Sequence, residues 1–159
     1  MIDSAAYKKA MRYVPGAVSI ITARLGETRV GMTATALCSV SAEPPMLLAC
    51  INVSARSCEK IRRSGRFTVN LLSKVDVDVA RHFFAATDME SRFKLGEWLE
   101  TESGGLVLAS ACTTFECSLA GDIPAGTHAI FLGRVEAANV HPERAALVYV
   151  DGHYTTIAA

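Results

Sequence analysis

Charge of neither sign prevails in this chain: sixteen Lys and Arg face sixteen Asp and Glu across 159 residues. The whole-molecule field that steers proteins onto DNA, RNA or anionic lipid is therefore missing, which argues against a nucleic acid partner. No apolar run approaches the ~18 residues of a bilayer span, so no membrane insertion is expected. Cys-x-x-Cys pairs are absent, and the five cysteines (Cys38, Cys50, Cys58, Cys112, Cys117) are odd in number. That argues against a disulfide framework and a zinc knuckle, and it fits a reducing cytoplasm. The four histidines, His82, His128, His141 and His153, lack metal-type spacing, so no metal ligand is assigned. Gly-x-Gly-x-x-Gly, Walker, His-Glu-x-x-His and Gly-x-Ser-x-Gly signatures are missing as well, which removes the Rossmann, P-loop, zincin and hydrolase readings.

What is present is apolar. Half of the residues are hydrophobic and the mean hydropathy is +0.26, an excess read as a surface buried against a second copy, so a homodimer is expected. The length suits a single domain, residues 1–159, with a core that needs no staples. Residues 1–80 carry eleven basic and six acidic side chains, and residues 81–159 five and ten, so an anion site belongs in the first half. The N-terminus resembles a secretory leader only superficially, because Asp3 comes first and Pro15-Gly16 interrupts the apolar stretch.

Patterning predicts a short helix over Asp3 to Met11, capped by Asp3 or Ser4 and stopped at Pro15-Gly16. Ala17 to Leu25 and Thr28 to Ser41 read as a hairpin about Gly26-Glu27. Met46 to Val53 reads as a strand buried on both faces, and Ser54 to Gly65 as a helix ended by Gly65. A strand over Arg66 to Leu72 precedes a Ser73/Asp76 capping box and a helix through Phe83. Residues 86–105 read as loop or short helix. Three β-like runs follow, Leu106 to Leu119, His128 to Val140 and Ala145 to Val150, the first two separated by a Gly121 to Gly126 loop. Many strands and few helices give a mainly β (α+β) fold, an antiparallel barrel.

Three segments could carry chemistry. In Gly31 to Ser41, Thr33, Thr35, Ser39 and Ser41 alternate with Ala34, Ala36 and Cys38, so a planar ring could lie flat on the strand and bond its backbone N–H groups. From the residues alone the favoured reading is a strand whose small side chains merely accommodate bulky neighbours. Asn52-Val53-Ser54-Ala55-Arg56-Ser57 joins a strand to a helix, and its free N–H groups, hydroxyls and guanidinium suit a phosphate monoester; an ordinary cap with a solvated basic helix is the other reading. Gly126-Thr127-His128 brings a histidine to a strand mouth, either as a donor to a ligand or as a satisfied half-buried residue. Arg81-His82-Phe83 suits a helix end and a core position equally, and Asp151-Gly152-His153-Tyr154 reads as a turn.

Taken in order, these pieces resemble the flavin reductase-like family, the short reductase components of two-component flavin monooxygenases. The motifs are Met11 through Thr22 with its Val-Pro-Gly, Gly31 to Ser41 with Glu43-Pro44-Pro45, Cys50-Ile51-Asn52 with Ser54 and Ser57, and Gly65 through Leu72. They continue with Arg81-His82-Phe83, Arg92-Phe93 with Trp98, Gly126-Thr127-His128, and Tyr149 with Asp151-Gly152-His153-Tyr154. The set is most similar to the branch serving 4-hydroxyphenylacetate and related phenol hydroxylases, since many other members carry Gly-Asp-His where this chain has Gly-Thr-His.

The resemblance implies an FMN-binding split β-barrel, an antiparallel Greek-key homodimer, with FMN or FAD as cofactor and NADH or NADPH as co-substrate. It implies that Thr33, Ala34, Thr35, Ala36, Ser39 and Val40 cradle the flavin ring and ribityl chain, that Cys50, Ile51 and Asn52 touch them, and that Ser54 and Ser57 serve the phosphate. Arg81, His82 and Phe83 would close the flavin site. His128 would be the catalytic contact to the nicotinamide, with Asp151, His153 and Tyr154 beside it. Hydride transfer between stacked rings needs little protein acid–base chemistry, so the missing triad is no objection. The expected activity is NAD(P)H:flavin oxidoreduction supplying reduced flavin to a partner monooxygenase. A flavin-binding protein without turnover, or a reductase serving another acceptor such as a corrinoid, are the alternatives.

Overall fold

The computed structural model describes residues 1–157. Helix α1 (Ser4–Met11) begins where predicted, with the Asp3 carboxylate accepting from the Ala5 and Ala6 N–H groups. Two residues of β1 (Gly16–Ala17) lead into the hairpin β2 (Ser19–Leu25) and β3 (Thr28–Ala34), paired from Ser19↔Ala34 to Leu25↔Thr28. The single strand expected from Thr28 to Ser41 is two: Thr35-Ala36 leaves extended pairing, and β4 (Leu37–Ala42) turns to pair with β5 (Pro45–Asn52) instead. The fixed alternation of Thr33, Thr35 and Ser39 along one face therefore does not hold across the break.

Helix α2 (Arg56–Ser64) ends at Gly65, whose φ of 65° is the left-handed conformation that halts a helix. After β6 (Arg66–Leu71), Ser73 and Asp76 form the predicted capping box around a 3-10 turn, and α3 (Val77–Ala85) continues beyond it. The mixed stretch contains α4 (Met89–Arg92) and β7 (Trp98–Glu100), which pairs with β8 (Leu106–Leu108). The Leu106 to Leu119 run is broken at residues 109–112. Its second part belongs to β9 (Thr113–Ala125), which passes straight through Gly121 and Pro124, the expected loop, to a two-residue turn before β10 (His128–Val140). The hairpin β11 (Leu147–Val150) and β12 (His153–Thr156) completes the chain, with Asp151-Gly152 as its turn.

Seven antiparallel strands form the main sheet in the order β3-β2-β6-β9-β10-β5-β4, with β1-β11-β12 as a second, smaller sheet. The predicted antiparallel, mainly β architecture is borne out, with few helices. Burial on both faces, expected of Met46 to Val53, belongs instead to β2, where Ser19 to Ala23 are all buried. In β5 only Leu47, Ala49 and Ile51 face the core, while Met46, Leu48 and Cys50 remain half-buried on the outside.

Two cores result. One lies inside the curled sheet among Ile21, Val69, Phe67, Ile51 and Phe131, closed by Ile61 of α2. The other packs Ile20, Leu72, Phe83, Phe93, Leu108 and Leu147 against the opposite face of β2. Buried Asn70 ties this second core together: its Nδ2 donates to the carbonyls of Ile20 and Leu106, and its Oδ1 accepts from the Leu108 N–H at 2.8 Å. A fully buried amide is stable there only because both of its ends are bonded.

Candidate functional site

The break at Thr35-Ala36 builds the site. Because β3 and β4 diverge there, a short rim of small residues stands between two clefts of about 510 Å³ each. Gly16 of β1 presses against it: a Cβ at Gly16 would lie 2.8 Å from Thr35 Cβ, so the rim sits as close as backbone permits. The Ala36 carbonyl accepts from the Cys50 N–H at 3.0 Å, which fixes the rim to β5.

The first cleft joins Thr33 to Ala36 with Cys50, Asn52, His128 and Ile130, and Tyr7 of α1 stands over it. His128 and Asn52 are directly opposed across β10 and β5, as are Ile130 and Cys50. The His128 Nδ1 lies 2.9 Å from the Thr127 hydroxyl. With the hydroxyl as donor to Nδ1 the ring proton lies on Nε2, and Thr127 then orients the imidazole without adding negative charge. Among the described residues, no Lys, Arg, Asp or Glu lines this cleft.

Asn52 connects it to a smaller cavity of about 260 Å³ lined by Ser54 to Ser57, residues 87–89 and Arg92. The Asn52 Oδ1 accepts from both the N–H and the hydroxyl of Ser54, at 2.9 and 2.8 Å, which folds the chain sharply into α2. No side chain caps α2, so its first N–H groups are free to face an anion. Asp88, also in this lining, spends one carboxylate oxygen capping α4 through the Ser91 N–H at 2.8 Å. The Ser91 bonds hold its carboxyl below the usual range.

Four buried polar side-chain atoms among the described residues have no hydrogen-bond partner: Ser19 Oγ, Thr33 Oγ1, Ser57 Oγ and Arg92 Nε. Ser57 is fully buried, and it and Arg92 share the small cavity. Arg92 Nη1 donates to the Gly31 carbonyl at 2.6 Å, anchoring the guanidinium under β3. Thr33 Oγ1 belongs to the rim. A buried orphan costs roughly 1–3 kcal/mol, so three orphans along one path from rim to α2 fit a ligand with a planar head and a phosphate tail. The donor set suits a flavin phosphate: two hydroxyls, helix N–H groups and a guanidinium.

The second cleft lies across the rim, lined by Thr33 to Thr35, Val18, Arg81, Phe84, Tyr149 and Tyr154. Tyr149 and Tyr154 meet edge to face at 5.2 Å between centroids, and the Arg81 guanidinium stands 5.7 Å from the Tyr154 ring centre. Burial pushes the Tyr154 phenol up from its ordinary value, with Tyr149 adding to the effect and Arg81 opposing it.

The other sequence-predicted residues lie elsewhere. Ser39 and Val40 are exposed on β4 and line neither cleft. Ile51 and Phe83 point into the two cores, Phe83 packing on Phe93 and Trp98. His82 Nε2 bonds the Ser91 carbonyl at 2.6 Å, holding the α4 segment that carries Arg92. Asp151 pairs with Arg12, and His153 is exposed; neither lines a cleft. The residues expected to share the nicotinamide are thus divided, His128 on one side of the rim and Tyr154 on the other. Arg92, Tyr149, Phe84 and Tyr7 were given no role from sequence. Of these, Arg92 and Tyr149 carry a signal, as members of the ordered motifs.

A family model described as the flavin reductase like domain matches residues 11–158. The chain belongs to this family. It is 38% identical over 146 residues to the 4-hydroxyphenylacetate 3-monooxygenase reductase component of Pseudomonas aeruginosa, covering 91% of this chain and 86% of that protein. It is 36% identical over 156 residues to the FMN reductase (NADH) RutF 1 of Methylorubrum extorquens, covering 98% and 77%. Among solved structures, the Streptomyces globisporus NADH:FAD oxidoreductase SgcE6 in complex with NAD and FAD fragments superposes with a TM-score of 0.91 at 29% identity, covering 98% of this chain and 93% of that one. The family and the split-barrel fold read from the ordered motifs are borne out.

Proposed function

We propose that this chain is an NAD(P)H-dependent flavin reductase that takes FMN or FAD and releases reduced flavin to a separate flavin-dependent monooxygenase. The observation that carries the reading is the pair of buried, unpartnered donors, Ser57 Oγ and Arg92 Nε, in one cavity beside the small-residue rim. The relatives, named as a reductase component and an NADH-dependent FMN reductase, support the same activity. When bound, the flavin supplies the hydride-accepting chemistry.

The residues of this chain bind and orient. Thr33, Ala34, Thr35 and Ala36 offer backbone and small side chains against which a flat ring can rest. Cys50 and Asn52 border it on β5, and Ser54, Ser57 and Arg92 hold the phosphate. His128 and its Thr127 partner present an N–H donor at the open side of the ring, where the nicotinamide carboxamide or a flavin carbonyl would need one.

The outer face of the sheet supports a homodimer. Leu48, Cys50, Ile130, Leu132 and Ile123 form a continuous apolar surface over β5, β10 and β9, and Ile123 remains 51% exposed. All five cysteines are free, which supports a cytoplasmic location. No helix of the described residues is long and apolar enough to cross a membrane.

Purified protein mixed with free FMN or FAD and NADH or NADPH should consume the reduced nicotinamide, read from its absorbance. No oxidation in any combination would defeat the reductase reading. Tight stoichiometric flavin that resists NAD(P)H would instead favour a binding protein without turnover.

A further inference from the structure

Arg92 ends α4, a helix of four residues, and one turn is too short to fix a side chain by itself. Its Nη1 donates to the Gly31 carbonyl, while Nε stays buried and unpartnered beside Ser57. Contacts from other elements hold the segment. Just past Arg92, Phe93 is buried against Phe83 and Trp98, at 5.3 and 5.1 Å between ring centroids. Arg29 of β3 pairs with Glu90 and lies over the Phe93 ring, 4.9 Å from its centroid. His82 of α3 reaches the Ser91 carbonyl, the group immediately before Arg92, through Nε2 at 2.6 Å. A carbonyl only accepts, so this bond requires the ring proton on Nε2.

We infer that His82 is a positioning residue: by holding the Ser91 carbonyl it aims Arg92 into the small cavity, and so sets how strongly the site prefers a phosphorylated flavin to an unphosphorylated one. The inference rests on the reductase reading above and gives His82 a task other than touching the ring. Its Nε2 is spent on Ser91, and His82 lines neither cleft nor the cavity. The Arg29–Glu90 pair lies at the surface, with the Glu90 side chain 70% exposed, and contributes little. Phe93 anchors the segment by burial, which is not directional. The His82 bond is directional, and it is made to the peptide that joins Ser91 to Arg92. Because that peptide is planar, holding its oxygen also fixes the direction in which the Arg92 Cα leaves. A guanidinium pairs with phosphate through directed N–H groups, so a turn of that plane costs phosphate binding. A flavin without phosphate, resting on the rim, does not feel it.

Fluorescence quenching of FMN and of riboflavin by the full chain tests this in a double-mutant cycle. His82→Leu removes the donor and leaves the Phe93 anchor in place. It should weaken FMN about tenfold and riboflavin less than about twofold. His82→Gln, whose amide N–H has a similar reach, should bring FMN binding back to within about threefold of the wild type. In an Arg92→Gln background, His82→Leu should add less than about twofold, because its effect passes through the guanidinium. Unchanged FMN binding in His82→Leu, equal weakening of both flavins, His82→Gln as weak as His82→Leu, or additive losses in the double variant would each overturn the inference. So would a wild type that binds FMN no more tightly than riboflavin. Should circular dichroism show that His82→Leu does not fold, His82→Asn takes its place in the cycle, its shorter amide falling short of the Ser91 carbonyl, and the outcomes keep their meaning. NADH oxidation separates the inference from the reductase reading. Wild-type turnover with an additive cycle defeats the positioning role alone, and the expected cycle without wild-type turnover defeats the reductase alone.

Discussion

At the residue scale, the proposed site rests on three polar atoms buried without a protein partner, Thr33 Oγ1, Ser57 Oγ and Arg92 Nε. Ser57→Ala removes one hydroxyl from a fully buried position and leaves α2 intact. It should weaken FMN binding about ten- to a hundredfold and leave riboflavin, which has no phosphate, unchanged; flavin fluorescence quenching measures both. Equal loss for the two flavins would mean that Ser57 supports the fold rather than the phosphate. His128→Ala should lower kcat/KM for NADH about tenfold while FMN affinity moves less than about twofold. A matching loss of FMN affinity would assign His128 to the flavin. The thiols behave differently. Burial pushes Cys117 up to about 12, and it also raises Cys58 and Cys112. The thiolate is the reactive form, so at pH 8 these three should resist alkylation in the native protein and react once it is denatured, as mass spectrometry of labelled peptides would show.

At the element scale, sequence and structure part company where pairing partners decide. The caps were readable because they are local: Asp3 before α1, Gly65 after α2 and the Ser73/Asp76 box each involve residues a few positions apart. The rim was not, because Thr28 to Ser41 alternates without interruption and only the competing pull of β2 and β5 divides it at Thr35-Ala36. Likewise Gly121 and Pro124 read as a loop, yet the long β9-β10 pairing carries the strand past them. Pro124 sits there without disruption because the outer end of a long hairpin tolerates a missing donor. Seven of the eleven residues that line the first cleft, Thr33 to Ala36 with Cys50, Asn52 and His128, are thus among those that motif order proposes for the site. Arg92, Tyr149 and Phe84 come from separate helices and strands and have no common sequence signal. Asn70 carries the element-scale test: Asn70→Ala leaves the Leu108 N–H without its acceptor inside the second core and removes the amide donor shared by the Ile20 and Leu106 carbonyls, of which the Leu106 carbonyl keeps its bond from the Thr22 hydroxyl. It should cost about 2–4 kcal/mol in chemical denaturation, with no change in m-value.

At the scale of the whole molecule, part of the apolar excess that suggests a partner lies on one face. The outer face of β9, β10 and β5 is half-buried and apolar, and it runs directly into the first cleft through Cys50 and Ile130. A second copy covering that face would shield the cleft from solvent and link assembly to activity. Leu48→Glu places a charge at its centre, opposite Leu132. Sedimentation should then show a monomer where the wild type is a dimer at micromolar concentration, and a wild-type monomer would remove this part of the account. The charge balance fits the same picture: with sixteen charges of each sign there is no long-range field to direct a macromolecular polyanion, and local cations such as Arg92 and Arg81 act only inside their cavities.

The most direct test is anaerobic. Protein mixed with one equivalent of FMN and then titrated with NADH should lose the yellow absorbance of the oxidised flavin within the mixing time of an enzyme-catalysed reaction, and Ser57→Ala should slow that loss at limiting FMN. If the colour persists with NADH and NADPH alike, the rim and its buried donors do not form a reductase.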